Sequence, residues 1–235
     1  VLFCCLDTVS RARELVDPKT KFPSDWYEEP KQFRSGYDSR YLHAKCPAWK
    51  KWGDNTWLVT QPFDLKFKVI TNAVYEENKF IESNLLPPVH EDYFILGNQW
   101  LAGEYPEIQM RYVMNVWTKD KDVWIEQVPH PLLSRYGLEL IPATFPISVW
   151  FRPMVVGVKI LDTEIDLPKG TPLYYFRLYS KKSDCNFKLE QKEVPEYLNR
   201  QVAESKKLRD YTSFDAWDVI KNRLSKEGKC PFRWR

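Results

Sequence analysis

Glycine is scarce in this chain, at 8 of 235 residues, and histidine scarcer still, at 3. No G-x-G-x-x-G or P-loop pattern occurs, so a phosphate cradle made of bare backbone is excluded. Five cysteines (Cys4, Cys5, Cys46, Cys185, Cys230) stand at irregular spacing with no C-x-x-C pair. Their odd number suits reduced thiols rather than a disulfide framework or a zinc ribbon. No apolar run approaches the roughly eighteen residues of a membrane-spanning helix. Val1–Leu6 is shorter than the core of a signal peptide and lacks a basic flank, so no membrane partner is expected. Charge of one sign is lacking too. Lys and Arg number 35 against 32 Asp and Glu, and a net charge of +3 demands neither a nucleic acid nor a lipid surface.

What the chain does have is rings. Ten Trp, 13 Tyr and 13 Phe make it 15% aromatic, which rules out disorder over most of its length. The length fits one domain with a terminal extension. Alternation over Asp64–Ile70 puts Leu65, Phe67 and Val69 on one face and Lys66 and Lys68 on the other, the pattern of a half-buried strand. Ile108, Met110, Tyr112, Met114 and Val116 repeat it, with Gln109, Arg111 and Asn115 opposite. Strands are also expected over Asp122–Val128, Val149–Leu161 and Leu173–Tyr179, joined in part by a turn at Leu167-Pro168-Lys169-Gly170. The fold class is therefore mainly β, a jelly-roll or cupin-like β-sandwich. It is expected to span residues 1–191, including an irregular N-terminal arm over 1–55. Residues 192–235 read as a short, basic helical appendix, with one helix from about Glu196 to Arg209 and another starting near Ser213 or Asp215 and ending at Gly228.

Candidates for chemistry are few, and each has a bland reading beside it. His90 and Asp92 form an H-x-D pair, and His130 follows. In a cupin-type barrel these three could supply the two-His, one-carboxylate site of an Fe(II) oxygenase. Against this, His90 follows Pro87-Pro88 in what reads as a loop, and His130 lies between Pro129 and Pro131, where ring stacking explains it. His43 near Cys46 invites a Cys-His pair, but no helix start is built to activate the thiol. Lys221, Arg223, Lys226, Lys229, Arg233 and Arg235, interleaved with Phe232 and Trp234, could hold single-stranded nucleic acid. A solvated helix end accounts for most of the same charges.

Several short stretches, in order, carry a resemblance: FPSDWYEEP at Phe22–Pro30, KCPAW and TWLVTQPFDLKF between Lys45 and Phe67, VPHPL at Val128–Leu132, WFRP at Trp150–Pro153, and LPKGTPLYYFRLYS at Leu167–Ser180. Together they resemble a family of uncharacterised proteins of tailed bacteriophages, notably those of marine bacteria. The resemblance implies a β-rich, jelly-roll-like domain of phage origin and brings no catalytic residues with it. On this basis the expected function is non-enzymatic: a binding or assembly protein of the virion or the host cytoplasm, without a cofactor, meeting a protein partner or a second copy of itself. The surplus of Trp and Tyr suits an interface. The iron oxygenase and the nucleic-acid binder are the alternatives.

Overall fold

The computed structural model describes residues 2–6, 10–16, 47, 53–70, 81–95, 106–120, 122–147, 153–180, 186–196 and 198. In chain order the strands are β1 (Leu2–Leu6), β2 (Thr56–Thr60), β3 (Leu65–Val69), β4 (Ile81–Ser83), β5 (Phe94–Ile95), β6 (Glu107–Thr118) and β7 (Val123–Pro129). They continue as β8 (Leu138–Ile141), β9 (Ala143–Pro146), β10 (Pro153–Ile160), β11 (Glu164–Leu167), β12 (Pro172–Ser180) and β13 (Leu189–Gln191). A five-residue helix, α1 (Val89–Tyr93), precedes β5, and two 3-10 turns cover Arg11–Leu15 and Leu133–Tyr136. The fold is mainly β, as the alternation requires.

One layer is a six-stranded sheet ordered β13-β1-β6-β10-β8, with β5 added to β6. Its spine is β6. The strand β10 runs antiparallel along one edge of β6, while β1 and β5 share the other edge, pairing at Met114–Thr118 and at Gln109–Met110. The apolar set Ile108, Met110, Tyr112, Met114 and Val116 is buried throughout. Burial of each such side chain stabilises the fold by about 1.5–3 kcal/mol.

The opposite layer holds two sheets, β2-β12-β7-β9 and β11-β3-β4. They are joined by one bent ribbon. β2 pairs antiparallel with β12, and their continuations β3 and β11 pair with each other. At the bend the two chains stay bonded: Gln61 N–H donates to Thr171 O at 2.8 Å, and Gly170 N–H to Gln61 O at 2.8 Å. Asp64 accepts from Lys169 N–H at 2.7 Å, and Asn84 reaches in from the end of β4 to donate to Asp64 O at 3.0 Å and accept from Lys66 N–H at 2.9 Å. The Pro168-Lys169-Gly170 turn is thus a corner between sheets rather than the tip of a hairpin. Buried apolar side chains of all three sheets form one continuous core, including Trp57 stacked on Phe176 (5.2 Å) and Phe67 edge-on to Phe94 (5.3 Å).

Three expectations are corrected. The N-terminal arm is not irregular at its start, because Leu2–Leu6 is a strand of the main sheet, with Cys4 in the core and Phe3 against Trp117 on the other face. An all-apolar run has no period by which to show this. His90 lies on helix α1, not in a loop: Pro88 precedes the first turn, where its missing N–H costs nothing, and accepts from Asp92 N–H at 3.3 Å. The polar side of β6 is a solvent face only at its start, where Glu107 and Gln109 are exposed, whereas Arg111 and Asn115 are buried farther along together with Trp117. Of the C-terminal appendix, Glu196 and Leu198 are helical, and Leu198 packs on Trp117. The rest of both expected helices lies outside the described residues.

Two glycines give mutational outcomes of different size. Gly137 has φ +72°, and a Cβ there would lie 2.6 Å from Asp162 Cβ and 2.8 Å from Ile165 Cδ1. Gly170 has φ +87° with nothing within 4 Å of its would-be Cβ. In urea unfolding, Gly137→Ala is expected to cost about 3 kcal/mol, from strain and clash together. Gly170→Ala is expected to cost about 1 kcal/mol, from strain alone.

Candidate functional site

The residues singled out for metal binding each serve the fold. Asp92 on α1 pairs with Arg111 of β6, with Oδ1 and Nη1 2.6 Å apart and the Arg111 side chain only 2% exposed. The other Asp92 oxygen accepts from Arg11 N–H at 2.9 Å. One carboxylate therefore ties the Arg11–Leu15 turn, helix α1 and the main sheet together. His90 Nδ1 lies 2.7 Å from Ser83 Oγ, and the ring leans on Phe94 at 5.1 Å. His130 Nδ1 accepts from Leu132 N–H at 3.2 Å, and its ring rests 5.1 Å from that of Tyr175. His90, Asp92 and His130 do not converge, and among the described residues no three His, Cys, Asp or Glu side chains gather as ligands would. The basic set Lys221, Arg223, Lys226, Lys229, Arg233, Trp234 and Arg235 lies outside the described residues, as do His43 and Cys46.

The Ser83–His90 contact resembles half of a hydrolytic dyad, but its surroundings make it a turn lock. Ser83 Oγ also accepts from Leu85 N–H at 3.1 Å, a local hydroxyl-to-backbone turn that leads into α1. Sequence reading missed the pair because nothing in the Ser83-to-His90 spacing marks it.

A second cluster sits between the layers. Tyr93 hydroxyl reaches Gln61 Oε1 at 3.5 Å, and Tyr112 hydroxyl donates to Thr60 O. The Tyr112 and Tyr174 rings meet edge-on at 6.4 Å. Tyr174 hydroxyl faces the side chain of Gln127, which itself donates to Val155 O of β10 at 3.1 Å. Burial pushes all three phenols well above their ordinary value of 10.0, so they remain neutral donors. Proton abstraction at neutral pH is not a role open to them.

Outward from the ribbon, the sheet β11-β3-β4 carries an open groove. Lys68 stands between Glu164 and Glu82 in register, and Lys66 beside Asp166. The pairs measure 2.6 Å for Lys66–Asp166 and 3.3 Å for Lys68–Glu164, with all four side chains more than half exposed. Hydrogen bonding to Asp166 raises the pKa of Lys66, so its charge is secure. The result is a pair of lysines with Glu164 and Asp166 on one side and Glu82 on the other.

No protein-family model and no curated protein matches the chain. Among solved structures, native EIAV dUTPase is similar to it over 60% of this chain and 88% of that one, with 8% sequence identity and a TM-score of 0.32.

Removing the Asp92 carboxylate strips the buried Arg111 of this ion pair and the 3-10 turn of its acceptor. Asp92→Ala is expected to lower the unfolding free energy by about 3 kcal/mol, and Asp92→Ala/Arg111→Leu by less than that single change, in a double-mutant cycle followed by urea unfolding. The phenols give a pH dependence. Up to their ordinary pKa of 10.0 they are protonated in both states and their contribution is whole. At higher pH the unfolded chain releases protons that the folded chain keeps. Stability therefore falls as pH rises past 10.0, by up to about 4 kcal/mol per pH unit for three groups. Phenolate absorbance of these tyrosines should rise only together with unfolding.

Proposed function

We propose that the chain is a non-enzymatic binding or assembly protein, phage-encoded as its sequence resemblance implies, acting in the particle or in the host cytoplasm. One observation carries the reading. The described groups suited to chemistry are tied into the fold, whereas the outward face of β11-β3-β4 offers charge in ordered rows. Such rows contribute little to stability where they are exposed. They do steer encounters and fix register between proteins. A second copy, or another protein presenting lysines opposite Glu164, Asp166 and Glu82 and a carboxylate opposite the lysines, is the partner this order suits.

The test is quantitative mass spectrometry of washed virions of the encoding phage and of complexes isolated from infected cells, with the wild-type chain and with Lys66→Glu/Lys68→Glu. The wild-type protein should be present at a fixed copy number in one of the two. The double variant should lose about tenfold of that association, while its thermal midpoint stays within a few degrees. A protein absent from the particle and from any stable complex overturns the reading. Association indifferent to the double variant overturns the choice of surface.

A further inference from the structure

All the exposed residues of strands β11, β3 and β4 are charged, and strand pairing sets their order. Lys66 and Lys68 project from the central strand β3, with Asp166 and Glu164 directly across on β11 and Glu82 across from Lys68 on β4. Lys66, Asp166, Lys68 and Glu164 keep 65%, 56%, 54% and 76% of their side-chain surface open. The apolar residues of these strands all turn inward, so whatever docks on this face is recognised by charge.

A partner of one sign fits poorly. A polyanion would meet the three carboxylates and a polycation the two lysines, and like charges set against each other in an interface are costly. The matching surface must carry both signs at the spacing of a β-ladder, roughly 4.8 Å from strand to strand and roughly 6.8 Å between alternate residues of one strand. The same face of a second copy has that spacing of necessity.

The order of charges also selects one arrangement of two copies. Identical faces meet about a two-fold axis. An axis perpendicular to the strands lays β3 on β3 and sets lysine against lysine. An axis along the strands between β3 and β4 matches only Lys68 with Glu82. An axis along the strands between β3 and β11 lays each β3 on the partner's β11 and keeps every residue at its own level. Lys66 then meets Asp166 and Lys68 meets Glu164, once in each direction.

We propose that the β11-β3-β4 face is a homodimer contact, with Lys66 and Lys68 of each protomer set against Asp166 and Glu164 of its partner. This rests on the choice of that face under the proposed binding role. Each lysine is shared between a carboxylate of its own chain and one of the partner subunit, so no internal pair has to break. Three short strands bury roughly a few hundred Å² per copy, below the ~800 Å² of a standard interface. The dimer is therefore weak, reversible and sensitive to salt.

Sedimentation equilibrium of the full chain tests this from roughly 10 μM to roughly 1 mM, the range of weak complexes. The wild-type chain should show a monomer–dimer equilibrium that weakens about tenfold when salt rises from roughly 0.05 M to roughly 0.5 M. Lys66→Glu/Lys68→Glu and Glu164→Lys/Asp166→Lys should each weaken it by about tenfold or more, and an equimolar mixture of the two should form a heterodimer. The quadruple variant combining both exchanges keeps its internal pairs, and it should dimerise with itself but not with the wild-type chain. A wild-type chain that stays monomeric throughout overturns the proposal, and that arm needs no variant to fold. Dimers that persist in both double variants, or a mixture that does not associate, overturn it as well. A monomeric wild-type chain that still enters a particle or a complex through Lys66 and Lys68 overturns the second copy as occupant and leaves the binding role standing.

Discussion

Everything in the opposite layer depends on the bend at residues 61–64 and 168–171, where two antiparallel chains change sheets without parting. A strand leaving one sheet for another exposes backbone donors and acceptors at the crossing, and those on its buried side must be paired. Here they are paired mutually, Gln61 with Thr171 and Gly170, and by side chains, Asp64 with Lys169 and Asn84 with Lys66. The bend therefore keeps the two chains hydrogen-bonded across the change of sheet. The sheets on either side can then twist independently while sharing one core against the main sheet. Gly170 supplies the left-handed residue that this path needs.

The main sheet is held from its far side by a different kind of bond. Arg111 points away from the apolar core, yet it is buried, because α1 brings Asp92 to it and Asp92 brings the Arg11–Leu15 turn. A buried ion pair seldom outperforms a well-packed apolar substitute in stability. What it does supply is direction: a guanidinium donates to a carboxylate in few geometries. Short elements such as α1 and the 3-10 turn have too little apolar surface to choose one docking pose by burial alone. The pair fixes that pose, and with it His90 beside Ser83 and Tyr93 over the ribbon corner.

These facts also explain what could be read from the sequence. Strands β3, β6, β7, β10 and β12 were legible because one face of each alternates strictly or is apolar throughout, and side-chain period is a local signal. The strand β1 was not, since its five residues are apolar or Cys without alternation, and only the neighbouring β6 and β13 make it a strand. Arg111 and Asn115 looked solvent-facing because polarity in a strand is read by default as exposure. Their burial comes from segments far away in sequence. The pairing of β2 with β12 spans more than a hundred residues, and no local pattern encodes it. The candidate site was less legible still. His90, Asp92 and His130 attracted notice by residue type, whereas their partners Ser83, Arg111 and Tyr175 are brought to them only by the fold.

The same contrast bears on function. A residue that serves catalysis must keep a lone pair, a proton or a coordination position available to something that arrives. Asp92 has both oxygens bonded to protein, His90 and His130 each use Nδ1 in a turn, and the three tyrosines are held neutral inside the core. Chemistry-bearing side chains are here converted into struts. The lysines and carboxylates of β11-β3-β4 are the reverse case: they are paired, but across open solvent, where water competes for every bond and exchange with a partner's charges costs little. A surface of that kind is ready to trade its internal ion pairs for external ones. That readiness is the physical basis of the recognition role proposed above.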